Sequence, residues 1–308
     1  MIELILRSGL GNQMFQYAYA RKMQEKIGEP IAINTLYMDK HDFRKYSLNH
    51  FRLNETVSVL DKKQSEHDLI NFYLRLPVGF GKDFWSWRLF HRQALGEDKY
   101  LKRSNKGLYY AHLPEESYSI VESKSRKKYV FGFFQNYATV EGIEDILREE
   151  FIIKTEPSDA NKEMLKKIQK ENSVCLHIRR GDYLDEKWKS MQVCNENYYY
   201  TAVNSVLNSV ENPVFFVFST GHDDIRWIKE NYHFNAKVEY VDLDNPDYEE
   251  LRLMMNCKNF IISNSTFSWW AAFLAKNQKK KVWVPDTWRK GSPEANVIIP
   301  ATWIKIKV

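Results

Sequence analysis

The sequence predicts an α/β protein of two domains, each a parallel sheet with helices on both faces, facing one another across a cleft. Three observations carry that expectation. The C-terminal half alternates apolar runs with amphipathic stretches. The N-terminus opens with the same alternation. The chain is long enough for two ordinary domains, with 308 residues, 44% hydrophobic and 15% aromatic.

The first domain begins with an apolar run at residues 2–6, read as a strand. A turn containing Gly9 and Gly11 leads into a helix over 13–27, where Met14, Tyr17, Ala18 and Arg21 recur at helical spacing. A short strand follows at 30–33. From 37 to 113 the periodicity blurs. That stretch is rich in aromatics (Phe72, Tyr73, Phe84, Trp85, Trp87, Phe90) and reads as mostly helical. A strand is expected at 128–134 and a helix at 138–150. TEPSD at 155–159 marks the boundary, giving domains of 1–155 and 156–308.

The second domain alternates throughout. Strands are expected at 173–178, 213–218 (PVFFVF), 237–241, 260–263 and 281–284. Helices are expected at 195–210, 223–232, 248–257 and 267–276. The first of them carries Tyr199, Ala202, Val203, Val206 and Leu207 on one face. Near-continuous apolar strands separated by helices mean a sheet buried on both faces, hence parallel. Ligands of such sheets bind outside the carboxyl ends of the strands.

The formal charge of +5 is spread along the chain, with short basic runs at 124–128 and 279–281. This suits an anionic small molecule or weak attraction to an acidic membrane surface, and it is too mild for nucleic acid. Cys175, Cys194 and Cys257 form no CxxC or Cys/His cluster, so neither zinc nor a disulfide framework is expected. Cys175 and Cys257 lie in apolar runs, as buried thiols of a reducing cytosol do. Arg7 ends the first apolar run too soon for a signal peptide. No stretch reaches the roughly 18 apolar residues of a spanning helix.

Three stretches carry polar chemistry. HIRRGDY, from His177, stands at a strand end. Arginine offers planar donors that match phosphate oxygens. Two in a row point opposite ways, so one reaches a ligand while the other pairs with Asp182. Alone, the motif fits a structural arginine–aspartate pair equally well. RSGLGNQMFQYAYA, from Arg7, places Gly9 and Gly11 before a helix whose first N–H groups can bind an anion. It lacks the third glycine and later acid of a dinucleotide fingerprint, which argues against an NAD-dependent oxidoreductase. A plain tight turn is its simpler explanation. ISNSTFSWWAAFLA, from Ile262, ends a strand in small polar residues that serve as helix caps or phosphate ligands. Trp269-Trp270 reads as core, though one of the pair must face away from the other. Asp242-Leu243-Asp244 also follows a strand. Such pairs are common by chance, and paired arginines neutralise a diphosphate without metal, so no metal site is expected.

Together and in this order, GLGNQMFQYA, HIRRGDY and ISNSTFSWWAA resemble the bacterial α-1,2-fucosyltransferases of glycosyltransferase family 11. The likeness runs from residue 4 to about residue 286 and is weakest at 37–125. The resemblance implies a GT-B fold of two facing Rossmann-like domains, the first on the acceptor side and the second binding the nucleotide sugar. It implies GDP-fucose as co-substrate, no cofactor and no metal. It implies inverting transfer of fucose to the 2-hydroxyl of a terminal galactose. It implies a cytoplasmic enzyme of polysaccharide biosynthesis, compatible with a peripheral place at the inner membrane.

Carried onto this sequence, the resemblance puts Arg179 at the donor diphosphate, with Arg180 and Asp182 shaping the same pocket. His177 lies near the ribose or guanine. Glu250, where the family often has aspartate, recognises the nucleoside, and Glu249 beside it reads as an ordinary solvated acid. Asn264, Ser265 and Thr266 lie at the phosphates. Gly9, Gly11, Asn12 and Gln13 line the cleft from the other domain, against fucose or phosphate. Asp182 is the nearest candidate for a general base, although a carboxylate between cations is a weak one. Two other readings stay open: a GDP-sugar transferase with another acceptor sugar, and a non-catalytic nucleotide- or glycan-binding protein. The intact HIRRGDY speaks against the latter.

Overall fold

A computed structural model describes residues 1–42, 44–75, 96–111 and 113–308, with backbone alone at His41, Arg75 and Asp182. Phe84, Trp85, Trp87 and Phe90 lie outside the described residues. The chain divides into two units, Met1–Ile152 and Ile153–Val308.

In the first unit, β1 (Ile2–Ile5) is flanked by β2 (Ile31–Asn34) and β5 (Lys128–Phe131). The sheet reads β3 (Ser58–Val59), β2, β1, β5, β4 (Leu108–Tyr110), all parallel. Every residue of β1, β2, β4 and β5 is buried, which is why these runs are mostly apolar, with Glu3, Asn34 and Lys128 as buried polar exceptions. α1 (Leu10–Ile27) starts at Leu10 rather than at Gln13, because extended Gly9 is its N-cap and accepts the N–H groups of Asn12 and Gln13 at 2.9 and 3.0 Å. It ends at Gly28, whose φ of 69° glycine adopts without steric cost. α1 is buried on most sides, so its polar residues find partners inside. Gln16 bonds the N–H and carbonyl of Arg7 at 3.0 and 2.9 Å, and Arg21 pairs with Glu150 at 2.8 Å.

The blurred stretch holds α2 (Leu36–His41), α3 (Lys62–Arg75) and α4 (Glu97–Ser104), helical as expected. It also holds β3 and β4, which at two and three residues are too short to leave an alternating signature. α5 (Glu144–Glu150) closes the unit, and the start of the expected 138–150 helix is a 3-10 turn instead.

The second unit opens with α6 (Asp159–Lys170), which the sequence reading missed although Ser158 caps it by accepting the N–H of Asn161 at 3.2 Å. There follow β6 (Asn172–His177), α7 (Glu196–Leu207), β7 (Pro213–Phe218), α8 (His222–Asn231), β8 (Lys237–Tyr240), α9 (Asp247–Met255), β9 (Asn259–Ile261), α10 (Thr266–Leu274), β10 (Val282–Pro285) and β11 (Ile304–Ile306). β11 was also missed. The sheet order is β11-β10-β9-β6-β7-β8, every pair parallel. Val174 and Leu176 of β6 and Phe215 and Val217 of β7 pack with Tyr199, Val203 and Val206 of α7. Full burial of each such side chain stabilises the fold by about 1.5–3 kcal/mol. Leu207, expected on that buried face, is 37% exposed where the helix ends. Trp269 and Trp270 are both fully buried and meet edge-on at 5.1 Å, so neither faces away: α10 is enclosed all round. Among the described residues no helix is long and apolar enough to cross a membrane.

Candidate active site

β6 is the switch point of the second sheet. The chain runs from β6 to β7 and β8 on one side, then returns to place β9 against the other side of β6. The connections after β6 and β9 therefore part at the sheet's carboxyl edge and leave a crevice. HIRRGDY leaves β6 there, and ISNST leaves β9. The two meet through His177, whose Nδ1 lies 2.9 Å from Ser263 Oγ, both residues being buried. Burial, helped by the nearby charge of Arg179, lowers the His177 pKa to about 3, so the imidazole is neutral at physiological pH.

The two arginines diverge. Arg179 donates from Nη1 to Thr220 Oγ1 at 3.0 Å and lies 5.1 Å from the Tyr183 ring centre. Arg180 is stacked 3.2 Å from the Trp227 ring centre, with Nε 3.5 Å from Asp224. Asp224 also accepts the N–H of Gly181 at 2.9 Å. Among the described residues the acid beside Arg180 is Asp224 of α8, a partner the sequence reading did not name, and the contact braces the loop. Gly181 has φ 47°, and a Cβ there would meet Thr220 Cγ2 at 3.0 Å, so glycine fits both the turn and the close approach. Asp182 lies in this turn, but its side chain is outside the described residues.

Asn264 ties the rim together. Its Nδ2 donates to the carbonyls of Met191 and Trp288 at 2.8 and 3.1 Å, and its own carbonyl accepts from Tyr183 at 3.1 Å. Asn264 is thus a structural hub, 2% exposed. Ser265 is the N-cap residue of α10, yet its hydroxyl makes no capping bond; Thr266 opens the helix. These two stand at the positive end of a nine-residue helix, beside the crevice.

α9 brings two adjacent acids with opposite roles. Glu249, expected to be solvated, is 7% exposed; it pairs with Arg252 at 3.0 Å and accepts from Asn161 Nδ2 at 3.1 Å. Glu250 is the perturbed one. Burial pushes its pKa up to about 8, with Arg179 pulling it down and Asp247 pushing it up. Asp242 is engaged by His222 Nδ1 at 2.8 Å, and Asp244 sits in a left-handed turn at φ 48°. Among the described residues no three His, Cys, Asp or Glu side chains converge as a metal site would require.

In the first unit, Gln13 is fully buried. Its Nε2 donates to the carbonyls of Ser8 and Lys45, and its Oε1 accepts from the Ser47 N–H at 3.0 Å. It braces the loop. Gly11 is buried as well. Gly9 and Asn12 stay partly exposed, and Asn12 is bonded to Ser8 Oγ and Gln135 Nε2, each at 2.8 Å. The left-handed residue of this turn is Ser8, at φ 69°, not a glycine.

Residues 1–307 match the family described as "Glycosyl transferase family 11". The chain belongs to glycosyltransferase family 11. It is 31% identical to an α-1,2-colitosyltransferase of Escherichia coli, over 98% of this chain and 97% of that one. It is 28% identical to the O-antigen biosynthesis glycosyltransferase WbnK of Escherichia coli, over 98% and 99%. A galactoside α-(1,2)-fucosyltransferase 1 of Saimiri boliviensis boliviensis matches at 27% over 47% of this chain and 42% of its own length. Among solved structures, the NodZ α-1,6-fucosyltransferase co-crystallised with GDP superposes with a TM-score of 0.51, covering 89% of this chain and 92% of that one at 12% identity. The fold is thus the GT-B type that the resemblance implied.

For a glycosyltransferase this crevice has coherent electrostatics: a fixed guanidinium, a neutral imidazole, a helix N-terminus and a carboxyl poised near neutrality. The sequence reading gave no role to Thr220, Tyr183 or Asp224, which hold the arginines and the two loops. The signal for Thr220 and Asp224 was present. STGHDD follows a strand adjacent to β6, so it shares the same carboxyl edge.

Proposed function

We propose that the protein moves L-fucose from GDP-fucose to the 2-hydroxyl of a terminal galactose with inversion, in the assembly of a cytoplasmically built polysaccharide. The observation that carries this is the His177–Ser263 contact, which joins HIRRGDY to the α10 N-terminus at the switch point with Arg179 alongside. A leaving diphosphate gathers negative charge as the sugar becomes oxocarbenium-like. A guanidinium held in place by Thr220 and Tyr183 opposes that charge without reorganising during the reaction. Ser265 and Thr266, at the α10 start, add the positive end of the helix. On this reading Glu250 accepts from the guanine N1–H and amine, neutral His177 lies by the nucleoside, and metal has no part. The expected base role of Asp182 remains part of the proposal. So does the first unit's acceptor role, carried at its crevice edge by Gly9 and Asn12.

A second reading is favoured by the 31% identity to a colitosyltransferase over nearly the whole chain. Colitose is L-fucose without its 3-hydroxyl, so the two donors differ at one polar atom. Turnover with GDP-fucose and GDP-colitose across galactose-terminated acceptors, with linkage analysis of products, tests both. The first reading predicts a fucosylated 2-hydroxyl. Transfer from neither donor would leave a binding protein.

A further inference from the structure

The first unit has its own switch point. β1 leads to β2 and β3 on one side, and β5 lies against its other side. Arg7 stands at this carboxyl edge. Its guanidinium carbon lies 4.3 Å from the Phe133 ring centre, 5.3 Å from Phe131 and 5.5 Å from Tyr37. The hydrogen bonds of Arg7 run through its backbone, to Gln16. Among the described residues its side chain has no hydrogen-bond acceptor and no carboxylate partner. Asp42, whose charge reaches Tyr37 together with that of Arg7, accepts the Ser8 N–H at 2.7 Å instead. Arg7 and Phe133 are both partly exposed.

An arginine seated on aromatic rings is fixed in plane and partly stripped of water before any ligand arrives. The ring contacts use its charge and, among the described residues, leave its N–H donors without acceptors. A carboxylate or a phosphate matches that fork with two parallel bonds. The bonded amides of Asn12 and Gln135 stand at the same edge, and such groups hydrogen-bond sugar hydroxyls. We propose that Arg7 and its aromatic seat form a subsite in the first unit for an anionic group, a carboxylate or a phosphate, carried by the acceptor. The glycosyl-transfer reading enters only in naming the acceptor as the carrier; the anion site stands on the first unit alone.

The test is direct binding to the full-length chain, with the second unit saturated by GDP and no transfer taking place. Methyl β-D-glucuronide presents a sugar carboxylate, phenyl phosphate a phosphate monoester, and methyl β-D-glucoside is the neutral control. Arg7→Met keeps the packing on the rings and removes the charge; Arg7→Lys keeps a charge without the fork. At least one anionic probe is expected to bind the wild type in a salt-sensitive way. Its affinity is expected to fall roughly tenfold or more in Arg7→Met and by less in Arg7→Lys, the scale of one lost hydrogen-bonded charge pair. A response confined to the glucuronide identifies an acidic sugar, and one confined to phenyl phosphate identifies a phosphate carrier. No binding of either probe at millimolar concentration, or equal binding by wild type and Arg7→Met, overturns the proposal. If Arg7→Met fails to fold, the comparison of wild type with Arg7→Lys decides on the same readout. Failure to transfer fucose to neutral galactosides would sink the proposed function and leave these titrations standing.

Discussion

Glu250 offers the sharpest test of the donor site. In the free protein its pKa is about 8, chiefly because burial penalises the carboxylate. At pH 7 about one tenth of the molecules then carry the charge. Guanine presents two donors, which only the ionised carboxylate can accept together. Binding GDP must therefore drive a proton off Glu250. The release should approach about 0.9 proton at pH 7, and affinity should rise about tenfold between pH 7 and pH 9, worth about 1.4 kcal/mol. The GDP phosphates titrate too, so the quantity to read is wild type minus Glu250→Gln. Calorimetry in two buffers of different ionisation enthalpy gives the proton count. The linkage also has a sign in the free protein. A carboxyl raised from 4.5 to about 8 contributes stability that is fully present below pH 4.5 and lost as pH rises toward 8. Glu250→Gln should match wild type near pH 4.5 and be more stable at pH 9, by up to about 4 kcal/mol. Identical proton counts and GDP affinities in the two proteins would remove Glu250 from the site.

Arg179→Lys should lower kcat/KM for GDP-fucose by roughly 10²–10³ with the fold intact, since an ammonium cannot hold both Thr220 and a phosphate edge; a near-normal value would reduce Arg179 to a loop brace. Transfer should persist in EDTA, and activity lost to the chelator and restored by manganese or magnesium would count decisively against charge neutralisation by Arg179. Glu249→Gln should lower the denaturant-measured stability by about 2–3 kcal/mol, less than the 3–5 of a fully buried pair because Arg252 keeps its bond to Thr155; an unchanged midpoint would show that the pair contributes nothing.

What the sequence revealed follows from how each element is buried. β6 and β7 are sheathed on both faces, so their apolar runs could be read directly. β3 is exposed at both its residues, and β11 is exposed at two of its three, so neither leaves a clear pattern. α6 was legible from Ser158 and Asp159 but was passed over beside the domain boundary. At the site, HIRRGDY and ISNST could each be read, but not their meeting. Strand order alone brings His177 to Ser263, across eighty-six positions of chain. Helix phase explains why Glu249 was misjudged. Glu249 and Glu250 are neighbours in sequence, and α9 turns one toward Asn161 and the other toward Arg179. Composition cannot tell which is which.

Arg179 also links His177 and Glu250, and that link gives a last prediction. Its charge disfavours the imidazolium at His177 and favours the carboxylate at Glu250. A bound diphosphate neutralises Arg179 and withdraws both influences. His177 starts so far below neutrality that it stays uncharged. Glu250 starts near pH 8 and must respond, its pKa rising further. Pyrophosphate should therefore make Glu250 take up a proton, where GDP, through its guanine, makes it release one. At pH 8 the carboxyl is about half ionised, so each change can approach about 0.5 proton in magnitude, with opposite signs. Wild type minus Glu250→Gln isolates the effect from the ligands' own titration. The same sign for both ligands would mean that Arg179 and Glu250 do not share a diphosphate-binding crevice, whatever their separate contributions to affinity.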